Sequence, residues 1–293
     1  MEVTELYYND PKEIRKFKIK TIVFQVLLYL FLVSVAIFIL IPFYWMIITS
    51  LKTKIEVDLM VPTFFPQEVA WSNYSQVFTQ VTLFGRYFLN TIFVSVCTTA
   101  LVVFTTVTAA FAFARLKFKG KELIFALLLM TMMIPGEMFV ITNYMTVSVF
   151  KWTETFQALI IPFGVSVFYI FFLRQTFQQI PNELYLAAKV DGIGDFKYLW
   201  KIMIPIAMPS IVTIIILGLM GAWNAYIWPQ LVANNGPLRM IANGLMVAFT
   251  TEFSSEPQLQ LAASTLVTLP LFAFFVIFRK YIMRGVSRSG IKG

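Results

Sequence analysis

Residues 21–48 run without a single Asp, Glu, Lys or Arg. A helix of about 20 apolar residues crosses the roughly 30 Å hydrocarbon core of a bilayer, and a membrane strand needs only about 9–11. Within that core every backbone N–H and C=O must find its partner inside the protein, so a run of this length is a spanning helix. The same reading places five further spans at about 88–113, 122–147, 155–177, 204–229 and 259–279, with Glu137 in the third and Pro209 in the fifth. Only 13% of the chain is charged and 59% is hydrophobic, against about 25% charged in a soluble domain. The expected fold is therefore all-α, with about six transmembrane helices in one membrane domain, 1–293. Basic residues precede the first span, as in a signal peptide, but the run exceeds an h-region of roughly 7–15 residues. It ends at Tyr44-Trp45, an interfacial aromatic pair, and reads as a retained helix.

Charge orients these spans. With both termini inside, the inner segments hold 18 of the 23 basic residues, in blocks at 12–20, 115–121, 174–201 and 279–292. Only Lys52, Lys54, Arg86, Lys151 and Arg239 fall outside. This is the bias of the positive-inside rule, and it makes a multi-pass protein of the cell membrane with a cytoplasmic N-tail (1–20) and C-tail (280–293). The net charge of +8 is accounted for by topogenesis and anionic lipid, so no nucleic-acid partner is expected. Two larger segments fall on the outer side. Segment 49–87 reads as a loop with an interfacial helix, and 230–258 carries the turn cluster Asn234-Asn235-Gly236-Pro237.

Absences narrow the chemistry. The chain has no histidine and one cysteine, Cys97, so a His/Cys metal site, a His-activated nucleophile and an intrachain disulfide are excluded. Gly120-Lys121 lacks the glycine spacing and the hydroxyl of a phosphate-binding loop. No metal or cofactor is expected on this chain. Glu137 is the one ionisable side chain well inside a span, thin material for an ion-coupled carrier, which uses several. A membrane enzyme or receptor would need clustered polar groups or a signalling domain, and the sequence has neither.

One polar stretch, 181–203, interrupts the apolar chain on the basic side. Asn182 is positioned as an N-cap after Pro181, and Glu183 suits the positive end of a helix. Leu184, Ala187, Ala188 and Val190 form one apolar face. Gly192 and Gly194 break the helix, and Phe196, Leu199 and Trp200 mark a second before Pro205. Apolar residues outside the membrane mark an interface, the alternative being an ordinary solvated loop.

From Leu186 the pattern LAAKVDG, nine residues, then Ile202-Met203-Ile204-Pro205 resembles the EAA signature of ABC-importer permease subunits. Ala187, Ala188, Gly192, Ile202 and Pro205 occupy its positions, while Leu186 stands where the signature has glutamate. Glu183, one turn earlier, offers a carboxylate on the same face. The resemblance extends over nearly the whole chain to carbohydrate-uptake permeases related to the smaller maltose-transporter permease. FYWMIITSLK resembles the end of that family's first helix, and the outer loop with Pro66 and Asn73-Tyr74 its first outer loop. YFLNTIFVSV and AFAFARLKFKGKE resemble the two ends of its second helix, MMIPGEMF its third, WNAYIWPQLV its fifth and FRKYIMRGVSRSGIKG its ending.

The resemblance implies a type I importer permease fold and a heterodimer with a second, similar permease. Two ATPase subunits carrying ATP and Mg would dock beneath, and an extracytoplasmic solute-binding protein would deliver a sugar, oligosaccharide or related solute. The ATPase-coupling residues are then Glu183, Leu184, Leu186, Ala187, Ala188, Asp191, Gly192, Phe196 and Trp200. Trp223, Asn224, Tyr226 and Glu137 are candidates for the substrate path, the alternatives being helix packing for Trp223, an interhelical hydrogen bond for Asn224, and a structural salt bridge or a place at the water interface for Glu137. Asn234, Asn235, Gly236 and Pro237 are implied to contact the binding protein, or else form a plain turn. The tail 285–293 either lies along the ATPase dimer or is a disordered basic end.

Overall fold

The computed structural model describes the backbone of residues 11–251 and 255–290, and the side chains of 15–251 and 255–279. The ends of the two expected tails, 1–10 and 291–293, lie outside the described residues. The elements are helical throughout: α1 Pro11–Ser50, α2 Lys54–Val57, α3 Ser72–Gln80, α4 Phe84–Arg115, α5 Lys121–Thr131, α6 Val140–Val149, α7 Phe156–Ile160 and α8 Val167–Gln179. They continue as α9 Asn182–Val190, α10 Asp195–Tyr198, α11 Ile204–Trp223, α12 Ile227–Val232, α13 Ile241–Thr250 and α14 Pro257–Gly290. Four helical stretches are long and apolar enough to span a membrane: 15–50, 84–115, 195–223 and 257–279. The total is six if two bent pairs each count as one.

The third and fourth expected spans are broken. Residues 121–131 and 136–149 meet at 89°, and 156–163 and 167–179 at 43°. Pro135 causes the first break: it disfavours helical backbone at Ile134, and its own ψ of 132° leaves the helix before a 3-10 turn at Gly136–Phe139. At the second, Ser166 is extended and its hydroxyl accepts from the N–H of Tyr169, starting α8 afresh. The fifth expected span also stops early, at Trp223, with α12 following after a break. A continuous helix would drive the Pro229 ring into the carbonyl of Ala225.

The chain forms two compact units, residues 1–73 with 256–265, and 74–255 with 266–293. In the first, the backbone after α1 is held by side chains. Buried Asn73 donates to the carbonyls of Ser50 (2.9 Å) and Lys52 (2.8 Å). Buried Glu56 accepts from the Thr63 hydroxyl and from the N–H of Gln67 (3.0 Å). Tyr44 and Trp45 meet Phe65 and Phe64 edge-on, both at 6.4 Å, and Lys54 pairs with Glu256 at 3.0 Å.

In the second unit α4 is the central post, packed along α8 and α11. Arg115, the last residue of α4, donates to the carbonyls of Phe177 (2.9 Å) and Ile180 at the end of α8. Arg174 of α8 returns a bond to the Phe113 carbonyl (3.2 Å), pairs with Glu122 (3.2 Å) and lies over the Phe125 ring at 4.0 Å. Each helix thus supplies a cation to the carbonyl end of the other, where the dipole is negative. The two helices end side by side, which brings the basic segments 115–121 and 174–201 to one end of this unit.

At the far end α13 crosses α4 at Gly244. A Cβ there would lie 2.3 Å from Cδ2 of the buried Tyr87 ring. Gly244→Ala is expected to destabilise the protein by roughly 1–3 kcal/mol through overpacking, read as a lowered midpoint in thermal unfolding of the purified protein in detergent.

Candidate coupling loop and translocation path

The polar stretch folds as two short helices around one glycine, and the local chemistry explains why. Helix α9 begins at Asn182 itself, after Pro181, and no side chain caps it. The N-cap expected of Asn182 is absent because that residue is already in the first helical turn. At the other end Gly192 takes φ +73°. The N–H of Ile193 bonds the Ala188 carbonyl (2.8 Å) and that of Gly192 the Lys189 carbonyl (3.1 Å). This is a complete Schellman turn, and its apolar closure is the packing of Ile193 with Ala188 in one cluster.

Helix α10 then runs through a π-turn at Leu199–Met203 directly into α11. Pro205 does not separate the second short helix from the span, as the sequence suggests. Pro205 has no N–H for the Lys201 carbonyl and its ring crowds that group, and the wider π-turn just before it gives the ring room.

The turn is closed by a polar cluster that sequence spacing does not reveal. The Tyr185 hydroxyl donates to Oδ1 of Asp195 at 2.6 Å, and the Lys189 ammonium reaches the same oxygen at 2.6 Å. Tyr185 also stands edge-on to Tyr198 at 5.0 Å. Burial, and then the bond to Asp195, raise the Tyr185 pKa; the bond to Asp195 is the main cause of the rise at Lys189. Groups with raised folded-state values stabilise fully below their unfolded values, roughly 10 for both, and lose that contribution as pH rises through the folded values. The bonds from Lys189 and then Tyr185 lower the Asp195 pKa, a contribution present above its unfolded value of roughly 4, so all three groups contribute across the physiological range.

The inner face of the loop is buried in the core of the spans. Tyr198, Leu199, Met203 and Ala188 share one cluster with Val107 and Phe111 of α4, Leu173 and Phe177 of α8 and Ile211 of α11. Leu199, expected in the exposed patch, is 2% exposed. On α9 only Ala188 of the expected apolar face is buried, because the helix turns its small side chain toward the core and its larger ones outward. Left exposed are Leu184, Leu186, Val190, Phe196 and Trp200, with the Phe196 and Trp200 rings 6.0 Å apart. Glu183, Ala187, Asp191 and Gly192 are exposed on the same loop. Leu186 rims a groove of about 420 Å³ with Arg115, Lys117, Phe118, Tyr185 and Asp195.

The four substrate-path candidates fall on two separate segments. Trp223 is the last residue of α11, nearly buried and edge-on to Phe88 at 5.5 Å. Asn224 donates to the carbonyl of Met220, one turn back (2.9 Å). Tyr226 precedes α12, and Glu137 is exposed on the 3-10 turn after the third-span break. All three residues around 223–226 belong to a helix break rather than the middle of a span. Next to that break lies a cavity of about 350 Å³, lined among others by Thr98, Tyr169, Gly221, Ala225 and Trp228. The Thr98 hydroxyl is buried without a partner. Sequence reading missed this cavity, whose lining comes from five separate helices, α4, α7, α8, α11 and α12.

Asn234 to Pro237 form the start of a 3-10 turn, with Asn234, Asn235 and Pro237 exposed. The carboxylate of Glu154 accepts from the N–H groups of Asn234 and Asn235, both at 3.0 Å.

Comparison with known proteins gives the class. Residues 103–288 match the family described as the inner membrane component of binding-protein-dependent transport systems. The chain belongs to this family. It is 27% identical, over 92% of its length and 97% of the relative's, to the arabinooligosaccharides transport system permease protein AraQ of Bacillus subtilis. It is 25% identical, over 87% and 84%, to the diacetylchitobiose uptake system permease protein NgcG of Streptomyces coelicolor. The fold is shared with a chain from the crystal structure of a bacterial ABC transporter involved in the import of the acidic polysaccharide alginate. That match has a TM-score of 0.79 and 24% identity, and covers 91% of this chain and 98% of that one. This is the type I importer permease fold in a multi-pass membrane protein, a transport subunit that works with other subunits and not an enzyme.

The Schellman turn supplies a direct check. A non-glycine residue at φ +73° costs roughly 1–2 kcal/mol, with Asn the mildest case, and no atom lies within 4 Å of a Cβ at this position. Gly192→Asn should therefore leave hydrogen-exchange protection of the Ile193 amide nearly unchanged. Gly192→Val should accelerate that exchange markedly.

Proposed function

We propose that this chain is one of two permease halves of an ATP-driven importer for a sugar, oligosaccharide or related solute. In this reading it couples to a cytoplasmic ATPase subunit through 181–203. The carbohydrate part rests on its relatives, whose names specify arabinooligosaccharide and diacetylchitobiose systems. The coupling part rests on one observation above all. The loop presents Leu184, Leu186, Val190, Phe196 and Trp200 outward while Tyr198, Leu199 and Met203 are fixed in the core of the spans. An exposed apolar patch of this kind marks an interaction site.

The assembly that fits is a second permease, two ATPase subunits holding ATP and Mg, and an extracytoplasmic binding protein above Asn234 to Pro237. The cell inner membrane, with both termini cytoplasmic, agrees with the placing of 18 of the 23 basic residues. ATP-driven closure of the ATPase pair would move the knob formed by α9 and α10, and with it α11, whose far end adjoins the 350 Å³ cavity. That cavity is the best candidate for the part of the sugar path carried by this subunit. Aromatic faces with a few polar groups suit a sugar ring, and Tyr169, Trp228 and the hydroxyl of Thr98 provide them.

With Leu186 in the glutamate position of the signature, docking at this point is apolar. In a complex reconstituted with its partner permease, ATPase and binding protein, Phe196→Asp is expected to lower sugar-stimulated ATP hydrolysis about tenfold or more. Burying an unpaired charge at the interface costs several kcal/mol. Leu186→Glu should weaken ATPase retention on co-purification. Unchanged stimulation in the first variant overturns the coupling role, and stronger retention in the second overturns apolar docking at 186.

A further inference from the structure

The turn between α6 and α7 contains the only two non-glycine residues with positive φ among those described, Lys151 at 56° and Glu154 at 58°. Such backbone is held only where surrounding contacts over-determine it. At Glu154 those contacts all go to one place. Its own N–H donates to the carbonyl of Val232 at 2.7 Å. One carboxylate oxygen accepts from the N–H of Asn234 and the other from the N–H of Asn235, each at 3.0 Å. A single residue thus makes three bonds to the segment 232–235, 78 to 81 positions away, two of them charge-assisted.

The other flank of that segment is fixed independently. Asn90 of α4 donates to the carbonyls of Pro237 and Arg239, both at 3.0 Å. Thr91 accepts from the N–H of Ile241 at 2.8 Å, and Arg239 donates to the side-chain oxygen of Asn234 at 3.3 Å. Between the two anchors lies Gly236 alone, flanked by Asn235 and Pro237, which are exposed.

We infer that Glu154 is a positioning residue for binding-protein engagement: its carboxylate clamps the 234–237 turn in the shape the partner meets. This rests on the proposed reading of that turn as the binding-protein contact. The left-handed backbone at Glu154 argues for a role beyond folding. Glycine would occupy φ +58° without the steric cost, so a residue kept for stability alone need not be a glutamate. Glutamate brings a side chain long enough to reach two successive amides and charged enough to hold them. Folding strain at 154 is offset by order at 234–235.

Glu154→Gly separates the two effects, since it relieves the backbone and removes the clamp. In the reconstituted complex, with the binding protein purified from its own host and used with the solute it carries as isolated, stimulation is read against the ATP hydrolysis of the same variant without binding protein. The binding-protein concentration giving half-maximal stimulation should rise about fivefold, as for a contact shape populated one-fifth of the time, with the maximal rate retained. The amides of Asn234 and Asn235 should exchange faster. Glu154→Gln, which keeps one acceptor oxygen, should fall between.

An unchanged half-maximal concentration in Glu154→Gly overturns the clamp, as does unchanged amide exchange. The paired change Asn235→Ala with Pro237→Ala tests the underlying reading separately. If it leaves binding-protein dependence untouched, the turn is not the contact. If it alone raises the half-maximal concentration, the contact stands and the positioning role of Glu154 falls.

Discussion

The structure depends on a seam of buried side chains that does not stop where the long apolar helices end. Val107 and Phe111 of α4, Leu173 and Phe177 of α8 and Ile211 of α11 pack into the same cluster as Tyr198, Leu199, Met203 and Ala188. Each fully buried large side chain of this kind contributes roughly 1.5–3 kcal/mol, so the three large ones fix the short helices by several kcal/mol. That exceeds the roughly 1–2 kcal/mol a non-glycine residue would lose at the Gly192 turn. Packing holds the knob in place, while the glycine lets it turn sharply enough to reach that place. The crossed Arg115 and Arg174 caps then tie the ends of α4 and α8 together just above it.

Two of the breaks in the long helices meet at one place. Non-helical backbone at membrane depth is tolerated only where it is buried in protein or lines a cavity. Of the three breaks, those at 164–166 and 224–226 line the 350 Å³ cavity, the first supplying Val165 and Ser166 and the second Ala225, while the sharpest, at 132–135, adds nothing to its wall. Proline and glycine around these breaks therefore make room rather than mark failed helices. The unpartnered hydroxyls of Thr98, Thr99 and Thr106 and of Ser95 follow one helix, α4, through this region. Small hydroxyl residues let helices approach closely, and Thr98 turns one of them toward the cavity.

Length and hydropathy made the apolar segments legible, four as unbroken spanning helices and two as bent pairs, because a bilayer imposes one simple rule on every segment. They did not reveal the 89° and 43° bends, since an apolar run looks alike whether straight or folded back. The loop 181–203 was legible from the signature and from its glycine, and the Schellman turn gives that glycine its physical reason. What stayed hidden is what needs tertiary structure. Tyr185, Lys189 and Asp195 converge only after the turn has closed, and Glu154 lies 80 and 81 positions from the amides it holds. Leu199 and Trp200 look equivalent in sequence, yet one is 2% exposed and the other 47%. Only the neighbouring helices decide which faces inward.

Helix continuity connects the two ends of the proposed mechanism. From Asp195 to Trp223 the chain is helical without interruption, about 43 Å at 1.5 Å per residue. Its first turns are the exposed face at Phe196 and Trp200, and its last residue adjoins the break beside the cavity. A helix whose first turns are packed to its neighbours cannot take up a displacement locally, because close-packed interiors transmit strain. The π-turn at 199–203, and Pro209 further along, are the two places where this rod departs from ideal geometry. If ATPase closure moves the knob, bending at these two points divides the motion between the packed seam below and the cavity wall above. The displacement that reaches the sugar path is then set by how firmly Tyr198, Leu199 and Met203 grip α4 and α8, and not by the docking patch alone.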